Sequence, residues 1–317
     1  MSPSMLRYIA INLVRAAGLF VIVGFITFTV TFTDGIGIAR SVLGLSASDE
    51  QVAAKAEQLG LTRPLIVQYL DYLSGVVRGD LGASFLTGQS VTDALSTRIP
   101  VTLSLIVITM ILTAILSVVL GVTAALYGGW VDRVVQFLSV LGAAVPGFIL
   151  AIGLVFAFAI AIPLYPATGY IPIADGVQGW LWSLTLPVTA LLVGTIASSA
   201  QQFRGSVLDA LSQDYVRTLR SRGIKEGPLL FRHVLRNAAG PGLVVLSLTT
   251  LGLLGAALFI EQVFALPGIG QLIVSSAQAG DVPMVMGTVV FTMILVLVIN
   301  FLADLLIGVL NPKSRIR

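Results

Sequence analysis

The sequence predicts an all-α membrane protein with six transmembrane helices and both termini on the cytoplasmic side. Three observations carry the prediction. First, 56% of the 317 residues are hydrophobic and only 10% are charged, with a mean hydropathy of +0.99. That composition leaves too little polar surface to keep a soluble core in water, so the bilayer is the expected solvent. Second, apolar runs with no Lys or Arg apart from Arg15 in the first, long enough for the roughly 20 residues that cross about 30 Å of hydrocarbon, fall near 9–33, 101–127, 134–162, 181–203, 238–260 and 286–310. Third, the basic residues are unevenly placed: seven of the eighteen Lys and Arg lie between Arg204 and Arg236.

The first run follows Arg7 and reaches Thr33. No small-residue cleavage site follows it, and it exceeds the 7–15 residues or so of a signal-peptide core, so it is expected to be an uncleaved span. Its lipid-facing part is expected to start near Ala16, after Arg15. Orientation follows from retention of Lys and Arg in short connections on the cytoplasmic side. With the N-terminus inside, the inner pieces hold Arg7, Arg15, Arg133, the seven residues of the 204–237 loop, and Lys313, Arg315 and Arg317 of the 311–317 tail. The short outer connections near 163–180 and 261–285 hold none. The remaining five basic residues lie in the outer 34–100 segment, outnumbered there by seven acidic ones.

That outer segment has helical signals. Ser48 with Gln51 reads as a capping box, Val52, Ala56 and Leu59 follow at helical spacing, and Gly60 is the expected stop. A second helix from Pro64 would set Leu65, Tyr69 and Leu73 on one stripe. Two uses stay open for these helices: lying on the outer face of the membrane domain, or meeting an external partner.

Chemistry is sparse. The chain has no cysteine, which excludes disulfides, thiolate nucleophiles and Cys-ligated metal. It has no GxxxxGK[ST] and so no P-loop of its own. GIG at 35–37 and 268–270 lacks the rest of a dinucleotide fingerprint and reads as turn glycines. His233 is the only histidine, so no zinc motif or Ser-His pair can form. Asp304, one turn after Asn300, is the acid that stands clearly inside a span; a polar contact between helices explains it more simply than an ion relay. Pro146, Pro163, Pro187 and Pro241 lie in or at the ends of spans, where a kink is expected.

The basic loop reads DYVRTLRSRGIKEGPLLFRHVLRNAAGPG from 214 to 242. From Val207 to Arg222, Leu208, Leu211, Tyr215 and Leu219 recur at steps of three or four, while Asp209, Gln213, Arg217 and Arg220 turn away. This predicts one amphipathic helix stopped at Gly223. A second is expected near Pro228 with Leu230 and Val234 on one face. Topology and contact with anionic headgroups account for the charge. They do not account for a helix-glycine-helix design.

This passage resembles the cytoplasmic signature loop of bacterial ABC-importer permeases, in the form found in the dipeptide, oligopeptide and nickel group: DYVRTLRSRG followed by RHVLRNA. The resemblance covers nearly the whole chain. LGLTRPLIVQYLDYLSGVVRGDLGASF at 59–85 and GQSVTDALSTRIPVTL at 88–103 look like the outer segment of those permeases. FALPGIGQL at 264–272 matches their loop between the fifth and sixth spans, and NFLADLLIGVLNP at 300–312 resembles their last helix. Two departures stand out. Arg217, Thr218 and Leu219 occupy the places of Glu-Ala-Ala in the general signature, so no coupling glutamate carries over there, and TFTDGIGIAR replaces a common Pro-Gly-Asp turn.

The resemblance implies a type I ABC importer permease fold in the bacterial inner membrane, with the first span and the outer segment in 1–100 and a five-helix core in 101–310. It implies a second homologous permease, two P-loop ATPase subunits that bind ATP and magnesium, an extracytoplasmic substrate-binding protein, and surrounding lipid. No cofactor or nucleic acid is expected for this chain, and no catalysis of its own. The coupling loop would use Asp214, Tyr215, Arg217, Arg220, Arg222, Gly223 and His233. Its first helix would sit in an ATPase groove and move as one piece. Peptides are the implied cargo, with nickel chelates or another small solute as alternatives; the residues lining the pathway are not legible. A secondary transporter or channel is the reading of another class. It calls for intramembrane charge pairs or inverted repeats, and neither is detectable.

Overall fold

A computed structural model describes the backbone of residues 3–44 and 46–310, and the side chains of 14–302 except 16, 45 and 243. Asp304 and the 311–317 tail with Lys313, Arg315 and Arg317 therefore lie outside the described side chains, as does Arg7. The described residues form thirteen α-helices: α1 Pro3–Phe32, α2 Gly35–Leu43, α3 Asp49–Gln58, α4 Leu65–Val77, α5 Val91–Tyr127, α6 Gly129–Ala144, α7 Gly147–Val155, α8 Val177–Ser212, α9 Asp214–Ser221, α10 Glu226–Pro228, α11 Leu235–Val263, α12 Ile269–Ala279 and α13 Val282–Leu310. A π turn, Phe156–Ala161, extends α7, and another, Leu229–Val234, joins α10 to α11.

Among the described residues, four helices are long and apolar enough to cross a membrane, or up to six crossings if two bent pairs each count as one. The expected spans at 101–127, 181–203, 238–260 and 286–310 lie within α5, α8, α11 and α13. The run at 134–162 is not one straight helix. It divides between α6 and α7 with a bend of 94°, and Pro146 stands at the break as the residue before α7. Proline removes an amide donor and clashes with the preceding turn, which explains the break; yet Pro187 and Pro241 lie inside the continuous helices α8 and α11. The first run is likewise followed by a bend, of 61°, between α1 and α2.

The chain divides into two compact units, one made of residues up to Pro100 with Gly268–Leu297, the other of Val101–Pro267 and the chain from Val298. In the first unit Phe28, Ile38, Ala39, Val52, Ala56, Tyr69 and Met286 form a buried cluster, and Leu65 and Leu73 pack against it. The expected stripe at 65, 69 and 73 is thus on the inside. The capping box at Ser48 and Gln51 is present, and Gly60 ends α3 with φ 72°. GIG at 35–37 is not a turn. It opens α2, where the Asp34 side chain accepts from the Gly37 amide at 2.8 Å. The second GIG, likewise, opens α12, a helix inside the connection expected near 261–285.

Asp281, which follows α12, is the polar centre of this unit. Its carboxylate accepts from the Ser84 hydroxyl at 2.5 Å and from the Phe85 amide at 3.2 Å, while Ser84 Oγ accepts from the amides of Leu86 and Thr87. One buried acid thus holds a turn almost two hundred positions away. We expect Asp281→Ala to strip these partners and cost about 1–3 kcal/mol per orphaned group. The detergent-solubilised protein should unfold at lower temperature and be cleaved near 84–90, whereas Asp281→Asn should retain part of the protection; unchanged proteolysis of Asp281→Ala would count against this role.

In the second unit α8 is packed by α6, α7 and α11. Gly142 of α6 sits close to α8, where a Cβ would lie 3.1 Å from the Val193 carbonyl oxygen. Thr113 of α5 and Thr195 of α8 hydrogen-bond at 2.8 Å. The sequence places Glu261 in an outer loop, but α11 runs on to Val263 and encloses it. The side chain is fully buried and accepts a hydrogen bond from Thr102 at 2.6 Å.

Candidate functional site

The 204–237 segment departs from the predicted pair of short helices. α8 continues unbroken to Ser212, and the chain turns at Gln213, which is extended at φ −71°, ψ 147°. α9 then covers only Asp214–Ser221. The second expected helix is no separate piece: helix resumes at Glu226 and runs through the π turn into α11. The buried stripe is also shifted. Val207, Ala210 and Val216 are buried and Leu211, Tyr215 and Leu219 pack beside them, while Leu208 is exposed. Because the break at Gln213 resets the phase, a stripe drawn through one helix is displaced on its two halves.

The same cluster takes in Ile224, Leu229, Leu230, Val234 and Ala238, together with Val122 and Ala125 of α5. Leu230 and Val234 are therefore inward, as their spacing predicts. α9 is seated on a core shared by the ends of α5 and α8 and the start of α11, close-packed as protein interiors are.

Gly223 ends α9 in a complete Schellman motif. Its φ is +77°; its amide donates to the Arg220 carbonyl at 2.9 Å, and the Ile224 amide donates to the Leu219 carbonyl at 3.2 Å. Ile224 and Leu219 both join the buried cluster, which is the apolar contact that accompanies this cap. α11 ends with the same pair of bonds, made by the amides of Ala265 and Leu266, but there an alanine holds the left-handed position at φ 49°.

Of the predicted site residues, Asp214 and Arg217 lie on the outer side of α9, 3.8 Å apart and almost fully exposed. Arg222, the C-cap, is exposed. Tyr215 packs inward, its buried hydroxyl without a hydrogen-bond partner among the described residues. Arg220 braces the fold instead of facing outward freely. It makes a two-pronged pair with Glu226 at 2.8 and 3.1 Å, across the Gly223 turn. Hydrogen bonds from the guanidinium hold the Glu226 carboxyl below its usual range, and those to Glu226 raise Arg220 further. A lowered carboxyl pKa means that the brace is present at neutral pH and is lost as pH falls through the depressed value. His233 is half-buried in the π turn, on a separate element from α9.

Three features of the site are not legible in the sequence. Arg204 makes a two-pronged ion pair with Asp132 of α6, one prong at 2.6 Å, and both side chains are largely buried. The one available signal is Asp132 itself, the only acid between residues 101 and 174. Glu226 has no partner that its spacing would announce. Phe203 is held between Gly121 of α5 and Gly242 of α11, both of which lack the Cβ that would strike it. Among the described residues no group of three His, Cys, Asp or Glu could hold a metal.

Comparison with known proteins bears on this arrangement. Residues 117–316 match the family described as binding-protein-dependent transport system inner membrane component, and residues 5–106 match the N-terminal region of membrane components of the same systems. The chain is 39% identical over 275 residues, 86% of its length and 88% of the relative's, to a Brucella abortus protein whose name assigns it to a peptide transport system as permease. It is 38% identical over 309 residues, 97% and 99% of the two chains, to a Sinorhizobium fredii protein whose name assigns it as a peptide ABC transporter permease. It is 36% identical over 259 residues, 81% of each chain, to the dipeptide transport system permease protein DppB of Bacillus subtilis.

Proposed function

Because the chain belongs to the family of binding-protein-dependent transport system inner membrane components, we propose that it is the permease of a peptide importer, with α9 as the handle by which ATP hydrolysis elsewhere moves the pathway. It is a multi-pass protein of the bacterial inner membrane, and its relatives carry the names of permeases rather than enzymes. The finer reading has six crossings with both termini in the cytoplasm, paired with a second permease, two ATPase subunits and an external binding protein.

One observation carries the role of α9. It is a short helix with its inner face buried in the core at the ends of α5, α8 and α11, while Asp214, Arg217 and Arg222 stand exposed. A push on those charged groups has a packed route into three long helices. Arg220 keeps the piece in shape through Glu226 rather than meeting the partner. Exposed charges of this kind set orientation and encounter more than affinity.

The test is reconstitution of the complete transporter in proteoliposomes. Peptide uptake should require ATP, the ATPase subunits and the binding protein, and Arg217→Glu should weaken ATPase association about tenfold, equivalent to roughly 1.4 kcal/mol. Uptake driven by an ion gradient through this chain alone would place it among secondary transporters instead.

A further inference from the structure

The helix α4 belongs to the segment expected to lie outside the membrane, yet its residues are arranged for a lipid boundary. At 100° per residue its side chains divide into three arcs. Tyr69, Tyr72 and Leu65 face the cluster around Phe28. Asp71, Ser74 and the C-cap Arg78 share the opposite side and are polar. Between them runs a third stripe, Ile66, Leu70 and Val77, exposed at 59%, 59% and 87%. The two apolar arcs are continuous, and only one has protein on it.

What the covered arc touches indicates what covers the other. The Tyr69 hydroxyl donates to the backbone carbonyl of Val21 at 2.7 Å, and its ring meets Phe25 edge-on at 5.2 Å. Gly24 leaves room for that hydroxyl, which would lie 3.0 Å from an added Cβ. α1 rises about 16 Å from Val21 to its end at Phe32, half of a hydrocarbon core about 30 Å thick. That is more than a tyrosine can reach from water, so the α4 backbone must lie below the end of α1. α1 in turn exposes its own apolar stripe, Ile22, Ile26 and Val30. The charged member of α4, Asp71, is paired with Arg63 at 2.7 Å, which lowers the cost of an acid near the headgroups.

We infer that α4 lies in the membrane interface, with Ile66, Leu70 and Val77 among the lipid acyl chains and Asp71, Ser74 and Arg78 toward the headgroups. The segment between α1 and α5 is thus anchored in the leaflet midway along its length. Helices with one apolar and one charged arc bind in this plane by burying apolar area. The inference rests on the proposed reading of α1 as a membrane-embedded helix.

The absence of cysteine makes the test direct. Single cysteines at Ile66, Leu70 and Val77 are spin-labelled in the assembled transporter in nanodiscs, and collision with oxygen and with a water-soluble nickel chelate is measured. Ile26 of α1 serves as the lipid reference and Gln58 of α3 as the aqueous one. The ratio of oxygen to nickel collisions at the α4 sites should match Ile26 and exceed Gln58 several-fold. A ratio like that of Gln58 overturns the inference, as does a rise that occurs only when the binding protein is added, which would make the stripe a protein-docking face. Should one variant fail to assemble, the other two report on the same stripe. If Ile26 itself is nickel-accessible, the reading of α1 fails, and that outcome is distinguishable from a failure confined to α4.

Discussion

Replacement of Gly223 by valine in the assembled transporter is expected to cut peptide uptake more than tenfold, a loss exceeding roughly 1.4 kcal/mol of coupling, while ATP hydrolysis continues. The cause is conformational. A Cβ at Gly223 would meet nothing within 4 Å, but the backbone there has φ +77°. For an L-residue that region costs about 1–2 kcal/mol, and a β-branched side chain is the least tolerant. Relaxing the strain breaks the two amide hydrogen bonds that finish α9 and pulls Arg220 out of line with Glu226. The helix remains on its core but no longer as a fixed lever. Hydrolysis is expected to persist because, on the proposed reading, ATP is bound by separate ATPase subunits, and this chain has no P-loop. Asparagine, which accepts the left-handed region more readily, should retain more uptake than valine, and Gly227→Ala should be nearly silent. Equal uptake by the valine and asparagine variants at normal assembly would sink this account.

A leucine at Gly121 is expected to do more damage still, by preventing assembly rather than coupling. A Cβ there would lie 2.8 Å from Phe203 Cβ, 2.9 Å from the Ala200 carbonyl oxygen and 2.9 Å from the Arg204 amide nitrogen. Two of those atoms are backbone and cannot turn aside. Overpacking of a close helix contact costs about 1–3 kcal/mol or more, and here it would separate α5 from α8 beside the Arg204–Asp132 pair. The variant should be recovered from membranes in low yield, with little transport; Gly121→Ala should show a smaller loss. Gly153→Leu is the control, since a Cβ at that position of α7 would meet nothing within 4 Å. Equal yields of the two leucine variants would show that the contact is not required.

These variants also show where the sequence can be read and where it cannot. Gly223 is recognisable as a stop because a helix end with a glycine beyond it is a local event, decided by the backbone freedom of one residue. Gly121 gives no such signal. A glycine inside an apolar run is common in membrane helices, and only the approach of Phe203, far along the chain, makes it indispensable. Arg220 illustrates the intermediate case: its place on the polar side of a helix is evident, but its partner Glu226 depends on how sharply the Gly223 turn folds back.

What the sequence by itself determined is the set of properties that one segment settles alone. Hydropathy over about 20 residues placed the apolar helices, side-chain caps placed the start of α3, and glycines placed the ends of α3 and α9. The resemblance to ABC-importer permeases was equally readable, because it rests on motifs in order along the chain. Only the tertiary structure decided the rest. The turn at Gln213 moved the buried face of the 207–222 stretch from Leu208 to Val207 and Ala210. Pro146 broke its run while Pro187 and Pro241 did not break theirs. Asp281, Glu261 and Asp132 acquired their partners from residues 84, 102 and 204. Such pairings are not encoded in spacing: a buried polar group needs a partner wherever the fold can bring one, and that choice is made by contacts between elements, after each has formed.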